Sequence, residues 1–417
     1  MSRESTSMMS VTECRELMLS EVPVVDETTV IALQEATGRL LSESLVARLD
    51  VPPEDNSAMD GFALHEQDLP EGSTPIVTGT VLAGQARAEP LAPGECVRIM
   101  TGAPVPPETA AVVPREKVSV QEQAKGDADR LQVQGTVLPG DNIRRRGEDL
   151  AAEEPLLEAG RRLSAPEIGL LAAQGIDQVQ VFRPLRVAVI ATGDELVPPG
   201  QPLAPGQIHD SNRPMLRAAL ESLGIEVLDP GVVPDEPEAL RDALQEADAG
   251  ADAVITSGGV SVGEADHVRA VLEEIGDMRL WRVAIKPGKP FAFGHLPNSM
   301  LFGLPGNPVS ALVTLQQLVL PALIRMQGGH YQPPLRLRAR ADEPFRKKPG
   351  REDYQRGVLV QDEQGQPVVR STGRQGSAIL TSMTSANCFV VLAADQGTAE
   401  AGEMVEVEPF IPPLRYP

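Results

Sequence analysis

From residue 185 to about 330, short apolar runs alternate with segments of helical periodicity. Leu185 to Ala191 read as a buried strand, Arg213 to Leu223 as a helix with Pro214 near its start and Gly224 at its stop, and Ile225 to Leu228 as a second strand. Helical spacing returns from Glu236 to about Glu246, and Ala253 to Thr256 form a third apolar run that ends in Ser257-Gly258-Gly259. Further strands are predicted near Leu280 to Ile285, Phe291 to Gly294 and Met300 to Leu304. A long helix then runs from Pro308 to about Met326, with Asn307 placed to cap it. This alternation predicts a doubly wound, mostly parallel α/β sheet with ligands at the carboxyl ends of its strands.

The flanks follow a different pattern. Residues 47–150 are rich in Pro and Gly, with short runs at Thr74 to Val77, Cys96 to Met100, Ala111 to Val113 and Leu131 to Val133, which predict a mainly β domain. Residues 334–417 carry similar runs, including Leu335 to Ala339, Gly357 to Val360, Val368 to Arg370, Cys388 to Leu392 and Met404 to Val407, and predict a second one. Ser164-Ala165-Pro166-Glu167 has capping-box spacing and opens a short helix that stops at Gly175. A helix expected from Thr28 to Thr37 would pair with it, making one small discontinuous linking domain from 28–46 and 151–184. Residues 1–27 are then an N-terminal segment packing on the α/β domain, 185–333. The expected fold class is multidomain α/β plus β.

Composition narrows the setting. At 417 residues the chain is long for one core, so two to four domains are expected. A net charge of −22 argues against a general nucleic-acid binder or a binder of anionic membranes, so an anionic substrate must be held by local cations. Cys14, Cys96 and Cys388 are widely spaced and form no CxxC pair, as expected in a reducing compartment. No apolar run is read as approaching the roughly 20 residues that span a bilayer, and the N-terminus shows no signal-peptide core. A cytoplasmic protein is expected. None of the five histidines is spaced as a zinc pair.

The candidate chemistry gathers at the predicted strand ends. In Ser257-Gly258-Gly259-Val260-Ser261, glycines let backbone N–H groups approach a phosphate, while Ser257 and Ser261 add hydroxyl donors. Glu264 and Asp266 follow directly and would repel that anion unless a hard cation such as Mg²⁺ lay between them. The alternative is a Gly-rich turn with solvated acids. Glu195 lies beyond another strand of the same sheet, where a helix N-terminal acid is the competing reading; Asn212 and Asp235 sit in loops where ordinary caps compete. Arg282, Lys286 and Lys289 fall within eight residues, with Pro287-Gly288 turning the loop that carries the lysines, and they suit an oxyanion better than scattered surface lysines would. Asn307, Pro308 and Ser310 open a helix N-terminus, a second plausible anion site. Outside this domain, Asp60, Thr101 and Asp149 lie in segments that spacing alone reads as β connections or a solvated charge cluster. Arg356 and Ser377 combine a guanidinium and a hydroxyl able to grip an oxyanion.

Taken together, NSAMDGFAL, RIMTGAPVP, IRRRGEDL, VIATGDEL, ITSGGVSVGEAD, AIKPGKPFAFG and LPGNPVSA resemble the molybdopterin molybdenumtransferase family of bacterial MoeA type, related to the E domain of gephyrin. The resemblance spans nearly the whole chain with its motifs in order. It implies insertion of molybdenum from molybdate into adenylylated molybdopterin with release of AMP, dependent on Mg²⁺. It also implies an elongated homodimer of four-domain subunits, with each cleft between the α/β domain of one subunit and other domains of its partner. The family's functional positions fall on Asp60, Thr101, Asp149, Glu195, Asp235, Asp266, Lys286, Arg356 and Ser377. Asp266, with Asp235 or Glu195, would hold Mg²⁺. Asn212, Ser257, Gly258, Gly259, Ser261 and Asn307 would join Lys289, Pro290 and Ser310 in binding substrate, the last three at molybdate. Arg282 stands where some members have lysine, which changes reach and donor geometry. The resemblance further implies a separate molybdopterin adenylyltransferase upstream and recipient molybdoenzymes downstream. A molybdopterin adenylyltransferase and a non-catalytic molybdopterin-binding scaffold are the two competing classes.

Overall fold

In the computed structural model, the described residues are 8–121, 128–258 and 267–410. They fall into two compact units: one takes the described parts of Met1–Glu43, Ala159–Ala165 and Gln178–Pro417, the other Ser44–Glu158 and Pro166–Asp177.

The larger unit contains the expected α/β sheet. Its strands lie in the order Glu226–Leu228, Arg186–Thr192, Ala253–Ser257, Met300–Leu304, Pro290–His295, Asp277–Arg282. The first four are mutually parallel, Pro290–His295 runs antiparallel to them, and Asp277–Arg282 turns back again to run in the direction of the first four. Side chains alternate across the sheet as strand geometry requires. Val187, Val189, Ala253 and Ile255 face a core shared with helix Asn212–Glu221 and the helical span 308–326. Ala188, Ile190 and Val254 face helices Pro237–Gly250 and His267–Ile275. Helix Val11–Glu21, closed by a capping box between Ser10 and Glu13, buries Val11, Cys14 and Met18 in the first of these cores.

Five C-terminal strands close on themselves. Glu352–Gln361, Pro367–Ser371, Leu337–Ala341, Met404–Pro409 and Cys388–Leu392 form a ring, because Glu352–Gln361 also pairs with Cys388–Leu392. The second unit has a six-stranded sheet in the order Thr109–Pro114, Gly61–His65, Glu95–Ile99, Ile76–Val81, Arg130–Val133, Val118–Gln121. A mostly parallel α/β sheet accompanied by two β regions is thus what the periodicity predicts.

Four local expectations need correction. Residues 28–37 do not form a helix: Thr28–Ala32 is a strand paired antiparallel with Gln178–Phe182, and a single 3-10 turn, Leu33–Glu35, follows. The run Thr-Thr-Val-Ile favours the extended chain, since β-branched side chains crowd a helix. The predicted strand from Leu280 to Ile285 is two strands, Asp277–Arg282 in the α/β sheet and Ile285–Lys286, which pairs with Glu352–Gln361 of the ring. The helix at Pro308 is interrupted by a π turn at Leu315–Val319. Pro321 has no N–H to offer the carbonyl of Gln317, which accounts for the break. Finally, 308–326 is 19 residues long with mean hydropathy 1.5, so by length and composition it is long and apolar enough to cross a membrane. With 83% of that window buried in the protein, it reads as a core helix.

All three cysteines are free and buried, and burial pushes each thiol up to about 12. Reactivity follows the thiolate. A thiol-specific chromogenic reagent at neutral pH should therefore titrate fewer than one thiol per native chain within minutes, and all three after unfolding.

Candidate active site

The carboxyl ends of three parallel strands meet at one place. Gly258, just past Ala253–Ser257, donates its N–H to the Leu304 carbonyl at 3.1 Å and has φ of 98°. A Cβ there would lie 3.3 Å from the Thr192 carbonyl oxygen, and one on Gly306 would lie 3.7 Å from the Gly258 Cα. Glycine thus lets these loops approach to backbone contact. Asn212 ties them together: its Nδ2 donates to Ser257 Oγ at 2.8 Å and to the Gly306 carbonyl at 2.6 Å. Asn212 is therefore a bridge across the strand ends, not a helix cap. Its Oδ1, with the buried hydroxyls of Thr192 and Thr256, has no hydrogen-bond partner among the described residues. Buried acceptors left unpaired are costly and mark this edge as a place that receives a ligand.

Two acids border the same edge. No helix follows Thr192; Glu195 is exposed in a turn that leads to the short strand Leu196–Val197, so the helix-terminus reading of this acid fails. Its carboxylate folds back on Gly193, where a Cβ would come within 2.5 Å of an Oε atom. Asp235 precedes helix Pro237–Gly250, and its N–H points to Asp194 Oδ1 at 3.4 Å, which draws the two acidic loops together. Gly259, Ser261, Glu264 and Asp266 lie outside the described residues, and among the described ones no three metal-ligating side chains cluster. Asp210, in the same run before the helix where an ordinary cap competes, is almost fully buried. It accepts from the Arg213 backbone N–H and Nε, and Arg213 also grips Asp229 at 2.6 Å, so helix Asn212–Glu221 starts from a fixed position.

The lysine loop packs on the following helix. Lys286 to Lys289 pass over the first turns of Pro308–Thr314, where a Cβ on Gly288 would stand 2.5 Å from Thr314 Oγ1 and 3.7 Å from the Ser310 carbonyl oxygen. Lys289 is exposed and Pro290 half-buried, whereas Ser310 is buried. Pro308 occupies the start of this helix as expected, but Asn307 makes no side-chain cap. The turn carrying Ser377 reaches the same helix end, because Val309 N–H donates to the Ser377 carbonyl at 3.0 Å. Gly288→Ala should displace this loop, since φ of 121° and the Thr314 contact both disfavour a side chain. A loss of about 1–3 kcal/mol is expected, read as a lowered thermal midpoint.

Lys286 and Arg356 do not meet. Lys286 Nζ donates to Asp353 Oδ2 at 2.9 Å, and Asp353 is 2% exposed. Asp353 and Arg356 are an odd number of residues apart on one strand and so point to opposite faces. Arg356, 1% exposed, donates to Ser382 Oγ, to the Tyr354 carbonyl and, at 3.2 Å, to the Gly376 carbonyl. Burial pushes its guanidinium down to about 10, which leaves it charged at neutral pH. Its role runs through the Gly376-Ser377 turn that it anchors. No sequence signal marked Asp353 as the partner of Lys286, because the contact depends on the register of Ile285–Lys286 against Glu352–Gln361.

In the second unit, Asp60 and Thr101 are brought together: Asp60 Oδ1 accepts from Thr101 N–H at 2.8 Å and from Thr101 Oγ1 at 2.7 Å. The Thr101 backbone donor, then its hydroxyl, hold the Asp60 carboxyl below its ordinary value. Asp149 is exposed, with its backbone N–H bonded to Val51. The arginine run pairs with acids, Arg145 with Asp55 and Arg146 with Asp50.

An α/β sheet with a glycine-lined, polar strand-end site is an architecture suited to a phosphate-bearing ligand, and comparison with known proteins places it in the molybdopterin-binding class. The family model described as MoeA N-terminal region (domain I and II) matches residues 9–175, that for a probable molybdopterin binding domain matches 188–325, and that for the MoeA C-terminal region (domain IV) matches 338–410. A molybdopterin molybdenumtransferase of Haemophilus influenzae is 44% identical over 97% of this chain and 99% of its own length. One from Synechococcus elongatus is 37% identical over 96% of this chain and 99% of its own. The crystal structure of a molybdopterin biosynthesis MoeA protein from Pyrococcus horikoshii OT3 superposes with a TM-score of 0.82 at 27% identity, covering 97% of this chain and all of that one. The chain belongs to the MoeA, or molybdopterin molybdenumtransferase, family.

Proposed function

We propose that this protein inserts molybdenum from molybdate into the dithiolene of adenylylated molybdopterin and releases AMP. The observation that carries the reading is the strand-end site in which Asn212 clamps Ser257 to Gly306 beneath a helix N-terminus. Matches that include both flanking regions, 9–175 and 338–410, favour it over an adenylyltransferase built on the α/β domain alone. The acids and lysines in the site favour it over a scaffold that performs no turnover.

Each group then has a task. The backbone around Gly258 and the Ser257 hydroxyl bind phosphate oxygens, and Asn212 keeps those donors aligned. Glu195 and Asp235 offer hard carboxylate oxygens on adjoining loops, which fits a divalent cation, with Asp266 as a further ligand. Bound there, Mg²⁺ would neutralise pyrophosphate charge. Lys286 and Lys289 attract molybdate, and the Ser310 and Ser377 turns, fixed at one helix end, present donors to it. Asp60, Thr101 and Asp149 are assigned to the same cleft through the partner subunit of a homodimer. A cytoplasmic setting, a separate adenylyltransferase as supplier and cofactor-free molybdoenzymes as recipients complete the proposal, with no nucleic acid or membrane as partner.

The test is reconstitution. Purified protein, adenylylated molybdopterin, Mg²⁺ and molybdate should together activate a cofactor-free molybdoenzyme, and omission of the protein at low molybdate should abolish activation. Equal activation with and without it would overturn the proposal.

A further inference from the structure

One cleft in the larger unit shares only Lys286 with the residues assigned above. It encloses about 660 Å³ beside the closed ring, on the Asp353 face of strand Glu352–Gln361. Five of its lining residues are cationic, in a chain whose net charge is −22. Two of these cations are engaged: Lys286 pairs with Asp353, and Lys347 Nζ donates to the carbonyls of Ala394 and Gln396. The other three, Arg346, Lys348 and Arg351, have no acidic partner within ion-pair distance among the described residues. Glu400 is the acid lining the cleft besides Asp353.

The loop that carries these cations is fixed in place. Gln355 Nε2 donates both to the Arg346 carbonyl and to Asp353 Oδ2, Lys347 N–H donates to Thr398 Oγ1, and Gly350 N–H donates to the Ala394 carbonyl. Cations without ion partners on a pinned loop raise the local positive potential and so favour an anion there. The lining has no aromatic side chain, so nothing there would stack on a nucleobase or a pterin. Its charge and donor types suit a small, doubly charged, tetrahedral oxyanion, which guanidinium and ammonium groups bind together.

The geometry points to this cleft as an oxyanion-collecting subsite, in which Arg346, Lys348 and Arg351 hold molybdate or a related dianion in the cleft that Lys286 also lines. The inference rests on the proposed function for its choice of molybdate, and on the cleft alone for its choice of oxyanion.

The experiment uses the full chain and equilibrium dialysis with molybdate and, in a second arm, inorganic phosphate. Arg346→Gln/Lys348→Gln/Arg351→Gln should weaken the binding of molybdate at least tenfold relative to the unaltered protein. A control, Arg217→Gln/Arg241→Gln/Arg269→Gln, removes the same charge from helices of the α/β layer and should change it less than twofold. In AMP-release kinetics, the cleft variant should raise KM for molybdate while kcat at saturating molybdate stays within twofold. Phosphate competing as strongly as molybdate would make the cleft a general oxyanion site; molybdate preferred over phosphate would make it selective. Both support the subsite. Binding of both anions by the cleft variant with unchanged affinity and stoichiometry would overturn it. If the unaltered protein binds molybdate through this cleft yet releases no AMP, the proposed function fails and the subsite stands.

Discussion

Lys286→Ala should lower the rate of molybdate-dependent AMP release by roughly 10²–10³, the range expected when one preorganised charge donor is removed from a reacting oxyanion. The effect has two separable parts. Lys286 is the cation 2.9 Å from the buried Asp353 carboxylate, and after its loss Asp353 keeps Gln355 Nε2 as a donor at 3.1 Å. An underpaired buried carboxylate costs about 1–3 kcal/mol, so the variant should also melt a few degrees lower. Adding Asp353→Asn should restore most of the stability and none of the rate, because a neutral amide needs no cation beside it. Lys286→Arg keeps charge but changes reach, and should recover only part of the activity. AMP release by Lys286→Ala within threefold of the unaltered protein would remove this lysine from the reaction.

Arg356→Met should be the most destabilising of these substitutions. The side chain is 1% exposed and its guanidinium satisfies Ser382 Oγ and the carbonyls of Tyr354 and Gly376. Methionine fills much of the same volume and donates nothing, so the loss falls on hydrogen bonds to a charged group, each worth about 1.5–3 kcal/mol. Three such bonds set an expected total of at least about 4.5 kcal/mol. The damage should be local at first, since Gly376 precedes Ser377, whose carbonyl receives Val309 N–H. Hydrogen exchange is the suitable readout, because it assigns the loss to a segment within a chain of several cores. Protection at Val309 and along Thr381–Ser385 should fall before protection along Ala253–Ser257. Uniform protection across these segments would show that Arg356 does not hold the turn.

The parts of this fold legible in the sequence are those with strong periodicity. Arg186–Thr192, Ala253–Ser257 and Met300–Leu304 are continuous apolar runs because parallel strands are covered on both faces, and their order with the helices follows from alternation alone. Thr28–Ala32 was misread because its partner, Gln178–Phe182, lies some 150 residues away and a ten-residue window has no access to it. The split at Val283 and Ala284 was missed for the same reason: Ile285–Lys286 is recruited by the C-terminal ring, and apolar character is continuous across the break.

The site was legible as a set of loops and not as a set of contacts. Gly258, Ser257 and Asn212 do converge, as polar loops at the ends of neighbouring parallel strands must. What no local pattern could supply is the division of labour between Lys286 and Arg356. That depends on which face of Glu352–Gln361 each residue meets, and hence on a register set between distant segments. No local pattern in the sequence marks Arg346 and Lys348 as part of a site. Their cleft exists only because Gln355 and Thr398 pin the loop against the ring.

The central claim is that AMP release from adenylylated molybdopterin is driven by molybdenum insertion at the strand-end site. A single-turnover measurement of AMP, with protein in excess over substrate, Mg²⁺ present and molybdate added or withheld, tests it most directly. The account predicts little AMP without molybdate and one AMP per substrate once it is added, with both Asn212→Ala and Lys286→Ala slowing the molybdate-dependent phase. AMP released at the same rate in the absence of molybdate, or no AMP in its presence, would contradict it.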